Sequence, residues 1–361
     1  MKGELMAAEM AEQPDVLARV TARAPADAEA VRAVVPRPLA GVVFLARGSS
    51  DNAAVFGRYL AELRAGRPAG LAAPSLYTRY HATVDWRGYL VVALSQSGAT
   101  PEIITTCRAM RAGGAVVLGI TNEPDSPLAD VADLLLSTDA GPERAVPATK
   151  TVTAQLALLV TVTSALRASA AAGTPGATGT PGAAGTPDAA GTPEAVGGSP
   201  DGGTLDGLPG AVAGVLGDPE PVERLADRWR GLDRLVVAGR GLAYAAALET
   251  ALKVKETTGI LAEGISTADL LHGPIAAVYA GAPVLLVDGG GPADTDLDEL
   301  RALLASRRAH AASLPVPAGL PEAVHVIAAI TRGQQLAYEL ARARHVNPDA
   351  PAHLSKVTAT T

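Results

Sequence analysis

The sequence predicts an α/β protein made of two doubly wound parallel-sheet subdomains in tandem, joined by a disordered linker rich in Gly, Thr, Pro and Ala. Three observations predict it. Short apolar runs of β type end in Ser- and Gly-containing loops and lead into helical patterns, which is the βα unit of a parallel sheet. A tract made almost wholly of Gly, Ala, Thr and Pro divides two halves that share this organisation. The chain has 361 residues and 48% apolar content, enough to bury a substantial core in one large or two ordinary domains.

In chain order, a helical region containing Gln13-Pro14 comes first. Four β-type runs follow at Val42–Ala46, Leu90–Leu94, Ala115–Ile120 and Leu134–Leu136. The first ends in Arg47-Gly-Ser-Ser-Asp-Asn before an amphipathic stretch Ala53–Ala65, and the second ends in Ser95-Gln-Ser-Gly-Ala-Thr before Pro101–Ala112. From Gly173 the triplet Gly-Thr-Pro recurs at Gly179, Gly185 and Gly191. Such a composition buries too little apolar surface to offset the entropy of ordering it, so 170–206 is expected to be a flexible linker between a first subdomain at 1–169 and a second at 207–340. The second half repeats the pattern: Leu235–Ala238 ends in Arg240-Gly, a helix carries Leu248–Thr258, an apolar loop leads to His272-Gly-Pro274, and Pro283–Val287 reads as a buried strand. A last helix near Ile330–Arg344 runs into a tail, assigned to 341–361, whose two prolines oppose continued helix and which is expected to fold over the active site.

Composition excludes several function classes. Aromatics make up 3% and the net charge is −7, which argues against base stacking and against a phosphate-backbone partner, so no nucleic acid is expected. A single cysteine, Cys107, rules out an intramolecular disulfide framework. The N-terminus lacks the apolar core of a secretion signal, and no apolar run reaches the ~18 residues that span a bilayer, so a cytoplasmic protein with no membrane contact is expected. His81, His310, His325, His345 and His353 show no metal-ligand spacing, and neither metal nor cofactor is expected.

Two segments carry chemistry. Ser95, Gln96, Ser97 and Thr100 surround Gly98 between a strand and a helix that opens with Pro101. Unpaired N–H groups at a helix N-terminus, together with hydroxyl donors, can hold a phosphate dianion without a lysine. The loop is neither a Walker loop nor a dinucleotide fingerprint, and three hydroxyl residues in six exceed what an ordinary N-cap needs. Ser49 and Ser50 stand at the equivalent end of the preceding strand, where neighbouring loops of an open sheet converge. In the second half the counterpart, Val287-Asp-Gly-Gly-Gly, lacks this chemistry, which implies one phosphate site per chain. The other segment places Glu249, Lys253 and Glu256 at i, i+4 and i+7 on one helix face, upstream of His272, an acid/base set beside a carboxylate and a cation.

With Glu12-Gln13-Pro14, Ser95-Gln-Ser-Gly-Ala-Thr, Val146-Pro-Ala-Thr-Lys-Thr-Val-Thr-Ala-Gln-Leu156, Ala251-Leu-Lys-Val-Lys-Glu256, His272-Gly-Pro274 and Leu354-Ser-Lys356, the chain resembles the sugar isomerase (SIS) family of flavodoxin-like subdomains, and within it the isomerase part of glucosamine-6-phosphate synthase. By that resemblance Ser50, Ser95, Gln96, Ser97 and Thr100 would bind a sugar phosphate and Val146 would lie on the sugar. Glu256 would move a proton between C1 and C2, and His272 would open the ring in the neighbouring subunit's site of a homodimer. Lys253 and Lys356 would contact the open-chain sugar, Lys356 as a possible imine former. Glu249 would serve the site directly or as a structural partner of Lys253. A partly desolvated carboxylate suits the C1–C2 proton transfer, and histidine suits ring opening near neutral pH.

Departures from the pattern shape the expected reaction. The chain begins where an isomerase part would begin, without a glutaminase domain, so it is not expected to hydrolyse glutamine. The leading expectation is ammonia release from glucosamine 6-phosphate to give fructose 6-phosphate. Pro147-Ala148 replaces a small residue and a serine, and Arg47 replaces a small residue, both on the sugar pocket. Dehydration or deglycation of an N-substituted aminosugar 6-phosphate is the alternative. A non-catalytic sugar-phosphate sensor is a third reading, one that needs the phosphate loop but not Glu256, His272 and Lys356.

Overall fold

The computed structural model of the protein describes residues 2–171, 205–351 and 354–356. Helices α1 (Glu4–Ala11) and α2 (Gln13–Val34) lead into β1 (Gly41–Leu45), α3 (Ser49–Leu60), β2 (Ala69–Leu71), α4 (Ser75–Thr78), β3 (Tyr89–Leu94), α5 (Pro101–Ala112), β4 (Val116–Thr121), β5 (Leu134–Ser137) and α6 (Lys150–Ala171). After residue 204 come α7 (Leu208–Gly217), α8 (Glu220–Trp229), β6 (Arg234–Gly239), α9 (Ala243–Thr258), β7 (Leu261–Ser266), α10 (Thr267–Leu271), β8 (Pro283–Val287), α11 (Thr295–Ser306), β9 (His310–Ser313) and α12 (Glu322–Ala343). Of the tract expected as a linker, 172–204 lies outside the described residues.

Both sheets are wholly parallel. The first has the order β2-β1-β3-β4-β5 and the second β7-β6-β8-β9. These are doubly wound orders, and the strand direction of travel reverses between β1 and β3 in one sheet and between β6 and β8 in the other. Central strands are covered on both faces, which is why β1, β3 and β8 read as unbroken apolar runs. A single apolar core joins the two subdomains, with Val42 and Phe44 of one sheet and Val237 and Leu285 of the other in the same cluster. Helix α6 packs against α2 and α3, and α12 against α7, α8 and α9.

Three features differ from expectation. The stretch after α9, expected as an apolar loop, is strand β7 followed by α10. Strands β2, β7 and β9 all lie on sheet edges and are half-exposed, so none carries the apolar signature of a central strand. Helix α3 begins at Ser49 rather than Ala53, and α12 begins at Glu322, well before Ile330. Buried on nearly every side from Ala323 to Ala341, α12 has no polar face to give it periodicity. Among the described residues no helix is long and apolar enough to cross a membrane.

Candidate functional site

The reversal between β1 and β3 puts the loops after these strands side by side at their carboxyl ends. A cavity of about 350 Å³ opens there, lined by Arg47, Ser49 and Ser50 from the first loop, Ser95, Gln96, Ser97 and Thr100 from the second, Val146 and Ala148, Glu256 of α9, and Leu354, Ser355 and Lys356 of the tail.

The Ser95–Thr100 loop is held in one shape at the cavity wall. Gly98 adopts φ +59, and a Cβ there would sit 1.9 Å from Ser126 Oγ, so only glycine permits this turn. The Gly98 amide donates to Ser95 Oγ at 3.1 Å and the Ala99 amide to Ser97 Oγ at 3.3 Å. The loop is braced from behind by the Asn122 amide and the Thr121 hydroxyl, which donate to the Gln96 carbonyl at 3.0 and 3.2 Å. Thr100, the N-cap of α5, makes no side-chain cap, so the first amides of α5 keep their donors beside the cavity. At the rim, Arg47 Nε pairs with Glu102 Oε2 at 3.0 Å.

Beneath the opposite wall lies a buried charge cluster. Lys253 and Glu249 are both fully buried on α9, with Nζ 3.6 Å from Glu249 Oε1, and Lys253 also pairs closely with Glu256. Asn52 Nδ2 donates to Glu249 Oε2 at 2.8 Å. Burial raises the Glu249 pKa, and the Lys253 charge with hydrogen bonds from Asn52 and Ser49 only partly offsets it. Burial works against the Lys253 ammonium as well, but the Glu249 and Glu256 carboxylates outweigh it and hold its pKa above the ordinary value. One cation thus serves two carboxylates. Glu256 is the one that reaches the cavity, and Glu249 is the one inclined to keep a proton.

The remaining wall comes from the 143–148 segment. Glu143, with no side-chain exposure, accepts from the Thr149 amide at 2.9 Å, the Thr151 amide at 3.2 Å and the Thr151 hydroxyl at 2.7 Å, and pairs with Lys356 Nζ at 3.0 Å. Burial alone would raise its pKa, but Lys356 and these donors hold it below the ordinary value. Glu9 of α1 accepts from the Arg144 and Ala145 amides underneath. Lys150, 1% exposed, pairs with Glu12 at 2.6 Å, which joins the Thr149-Lys150 segment to the start of α2.

Of the residues singled out from sequence, Ser49, Ser50, Ser95, Gln96, Ser97, Thr100, Val146, Glu256 and Lys356 line this cavity. Lys253, expected to touch an open-chain sugar, and Glu249 are both fully buried and are not among the residues that line the cavity; Lys253 pairs with Glu256, which does line it. His272 is exposed outside the cavity, its Nδ1 2.8 Å from the Ala268 carbonyl. Sequence reasoning missed Asn52 and Glu143. The signal for Glu143 was its place three residues before Val146, an acid otherwise isolated in Gly-Pro-Glu-Arg. The second sheet's equivalent position is closed by its own carboxylate: Asp294 accepts from the Gly289 and Gly291 amides at 2.8 and 3.2 Å. Among the described residues no group of three or more His, Cys, Asp or Glu is arranged to hold a metal ion.

Known proteins share this architecture. The chain is 33% identical over 373 residues to the isomerizing glutamine–fructose-6-phosphate aminotransferase of Aeropyrum pernix, covering 97% of this chain and 56% of that protein. It thus spans about half the length of the curated relatives it matches. A candidate phosphosugar isomerase from Silicibacter pomeroyi superposes with a TM-score of 0.81 at 28% identity, covering 97% of this chain and all of that one. The C-terminal domain of the Francisella tularensis glucosamine-fructose-6-phosphate aminotransferase has the same fold, with a TM-score of 0.79 at 23% identity and coverage of 96% and 98%. The SIS-domain signature covers residues 41–165 and 230–314, taking in both sheets, and the chain belongs to the SIS family.

Proposed function

We propose that the protein is an aminosugar-phosphate enzyme, a glucosamine-6-phosphate deaminase/isomerase that releases ammonia and forms fructose 6-phosphate. The observation that carries this reading is one cavity shared by the Ser95–Thr100 anion loop, the Glu256 carboxylate and the Lys356 ammonium. The matched aminotransferases are named for fructose 6-phosphate, the product expected here.

With the phosphate on the Ser95–Thr100 loop and the helix α5 amides, the open-chain sugar extends toward Glu256. The Glu256 carboxylate takes the C2 proton of the aldehyde form, leaving an enolamine, and returns a proton to C1. The resulting C2 iminium adds water and expels ammonia, giving the 2-ketose. Lys253 pairs with Glu256 and aims its carboxylate, and Lys356 offers a positive charge to the sugar oxygens or the leaving nitrogen. His272, exposed in one chain, would open the ring from a second copy of the protein, so a homodimer is part of this reading.

A second reading has one favouring observation. Val146, Ala148 and Leu354 form an apolar part of the wall, with a methyl where a serine is expected, and this suits an N-substituted aminosugar 6-phosphate undergoing dehydration or deglycation. The test is to incubate the protein with glucosamine 6-phosphate and, separately, its N-acetyl form, following ammonia and product mass. Ammonia with fructose 6-phosphate establishes the deaminase. A product lighter by one water from the acetylated sugar moves the assignment to a dehydratase. Binding without turnover of either moves it to a sensor.

A further inference from the structure

The tail is fastened to α1 and, at two points, to the 143–146 segment of the first subdomain. The Val146 amide donates to the Asp349 carbonyl at 3.0 Å, while the Asp349 carboxylate accepts from the Gly3, Leu5 and Met6 amides at 3.0, 3.2 and 2.8 Å and so caps α1. The other fastening is Lys356, whose Nζ donates to the Ala145 carbonyl at 2.7 Å and pairs with Glu143 at 3.0 Å. Two of the three ammonium donors are thereby accounted for, leaving one for a ligand in the cavity that Lys356 lines.

Glu143 does more than cap α6. Its Oε1 takes the Thr149 and Thr151 amides, and its Oε2 takes the Thr151 hydroxyl and Lys356, which fills its acceptor positions. A fully buried carboxylate held this way has one orientation and a strong demand for a cation. Among the described residues the cation paired with Glu143 comes from the tail: Lys253 acts on Glu143 only at longer range, and the other nearby carboxylate, Glu9, is of like charge. We infer that Glu143 is a positioning residue for the reaction: it holds the Nζ of the tail's Lys356 at the cavity wall, where the sugar is bound. This deepens the proposed function and rests on it for the role of Lys356, whereas the docking of the tail on Glu143 does not depend on the substrate.

The experiment is a double-mutant cycle with Glu143→Gln, Lys356→Met and the pair, read as kcat and KM for ammonia release from glucosamine 6-phosphate. It is joined to trypsin cleavage after Lys356 in the folded protein. The amide of Glu143→Gln still accepts from α6, so the cap survives while the charge is lost. Expected are a kcat lower by about 10- to 100-fold with KM within about threefold, a double variant no slower than Lys356→Met, and faster tail cleavage in Glu143→Gln. Glu143→Asp, which keeps the charge, should restore protection of the tail and part of kcat. Multiplicative losses in the double variant, or unchanged cleavage, would overturn the inference by making Glu143 a structural cap only. If the wild-type protein turns over no glucosamine 6-phosphate but Glu143→Gln still exposes the tail, the functional reading fails and the docking stands.

Discussion

Replacing Lys253 with methionine tests the buried charge cluster quantitatively. Methionine matches the length of the lysine stem but removes the one cation among the described residues that pairs with Glu249, whose Oε1 lacks a hydrogen-bond partner. Breaking a buried pair from one side costs about 3–5 kcal/mol, because the buried carboxylate left behind keeps only the hydrogen bonds from Asn52 and Ser49. At roughly 2 °C per kcal/mol for a domain of this size, the melting temperature at pH 8 should fall by about 6–10 °C. The pH dependence has a definite sign. Burial already holds the Glu249 pKa above the ordinary carboxylate value, and loss of Lys253 raises it further. A raised carboxylate contributes stability while protonated and loses it as pH rises through the folded-state pKa. The melting-temperature deficit of Lys253→Met relative to wild type should therefore shrink between pH 8 and pH 5, and Glu249→Gln added to it should recover most of the loss at pH 8. Scanning fluorimetry across that range reads both effects. A deficit equal at pH 5 and pH 8, unrelieved by Glu249→Gln, would refute the claim that Lys253 neutralises Glu249.

Further outcomes follow from the same geometry. Glu256→Gln keeps the shape of the cavity wall and should reduce turnover by orders of magnitude while leaving the affinity for inorganic phosphate, measured by calorimetry, nearly unchanged. Ser97→Ala and Thr100→Val each remove a donor from a charged ligand, worth about 1.5–3 kcal/mol, so each should raise KM about tenfold or more with a much smaller change in kcat. Arg47→Ala should weaken phosphate binding, and Glu102→Gln, which frees Arg47 from its partner, should strengthen it. Cys107 is buried on α5, and burial pushes its thiol pKa up to about 12, so an alkylating reagent at pH 8 should label it only on unfolding, at the rate set by denaturant rather than by reagent.

Much of this architecture is legible in the chain because the physics is local. Strands β1, β3, β4 and β8 bury both faces, and burial on both faces writes an unbroken apolar run. The Ser95–Thr100 loop combines a strand end, a glycine with positive φ and a proline at the helix start, all contiguous. Edge strands β2, β7 and β9 leave no such trace, since their pairing is decided by a neighbour distant in sequence. The same limit applies to the site. The spacing of Glu249, Lys253 and Glu256 places them on one face, but not which of them is buried and which reaches the cavity. Glu143 joins Lys356 across a separation of 213 residues, a contact that no local pattern encodes.

The central claim is that Glu256 carries a proton between C1 and C2 of a sugar phosphate held by the Ser95–Thr100 loop. The most direct measurement is proton NMR of fructose 6-phosphate incubated with the protein and ammonia in deuterium oxide. The account predicts loss of a C1 proton signal through exchange with solvent in the wild-type protein, and its persistence with Glu256→Gln, although that variant still binds the sugar phosphate. Exchange that continues undiminished in Glu256→Gln, or no exchange in wild-type protein that binds the ligand, would contradict it.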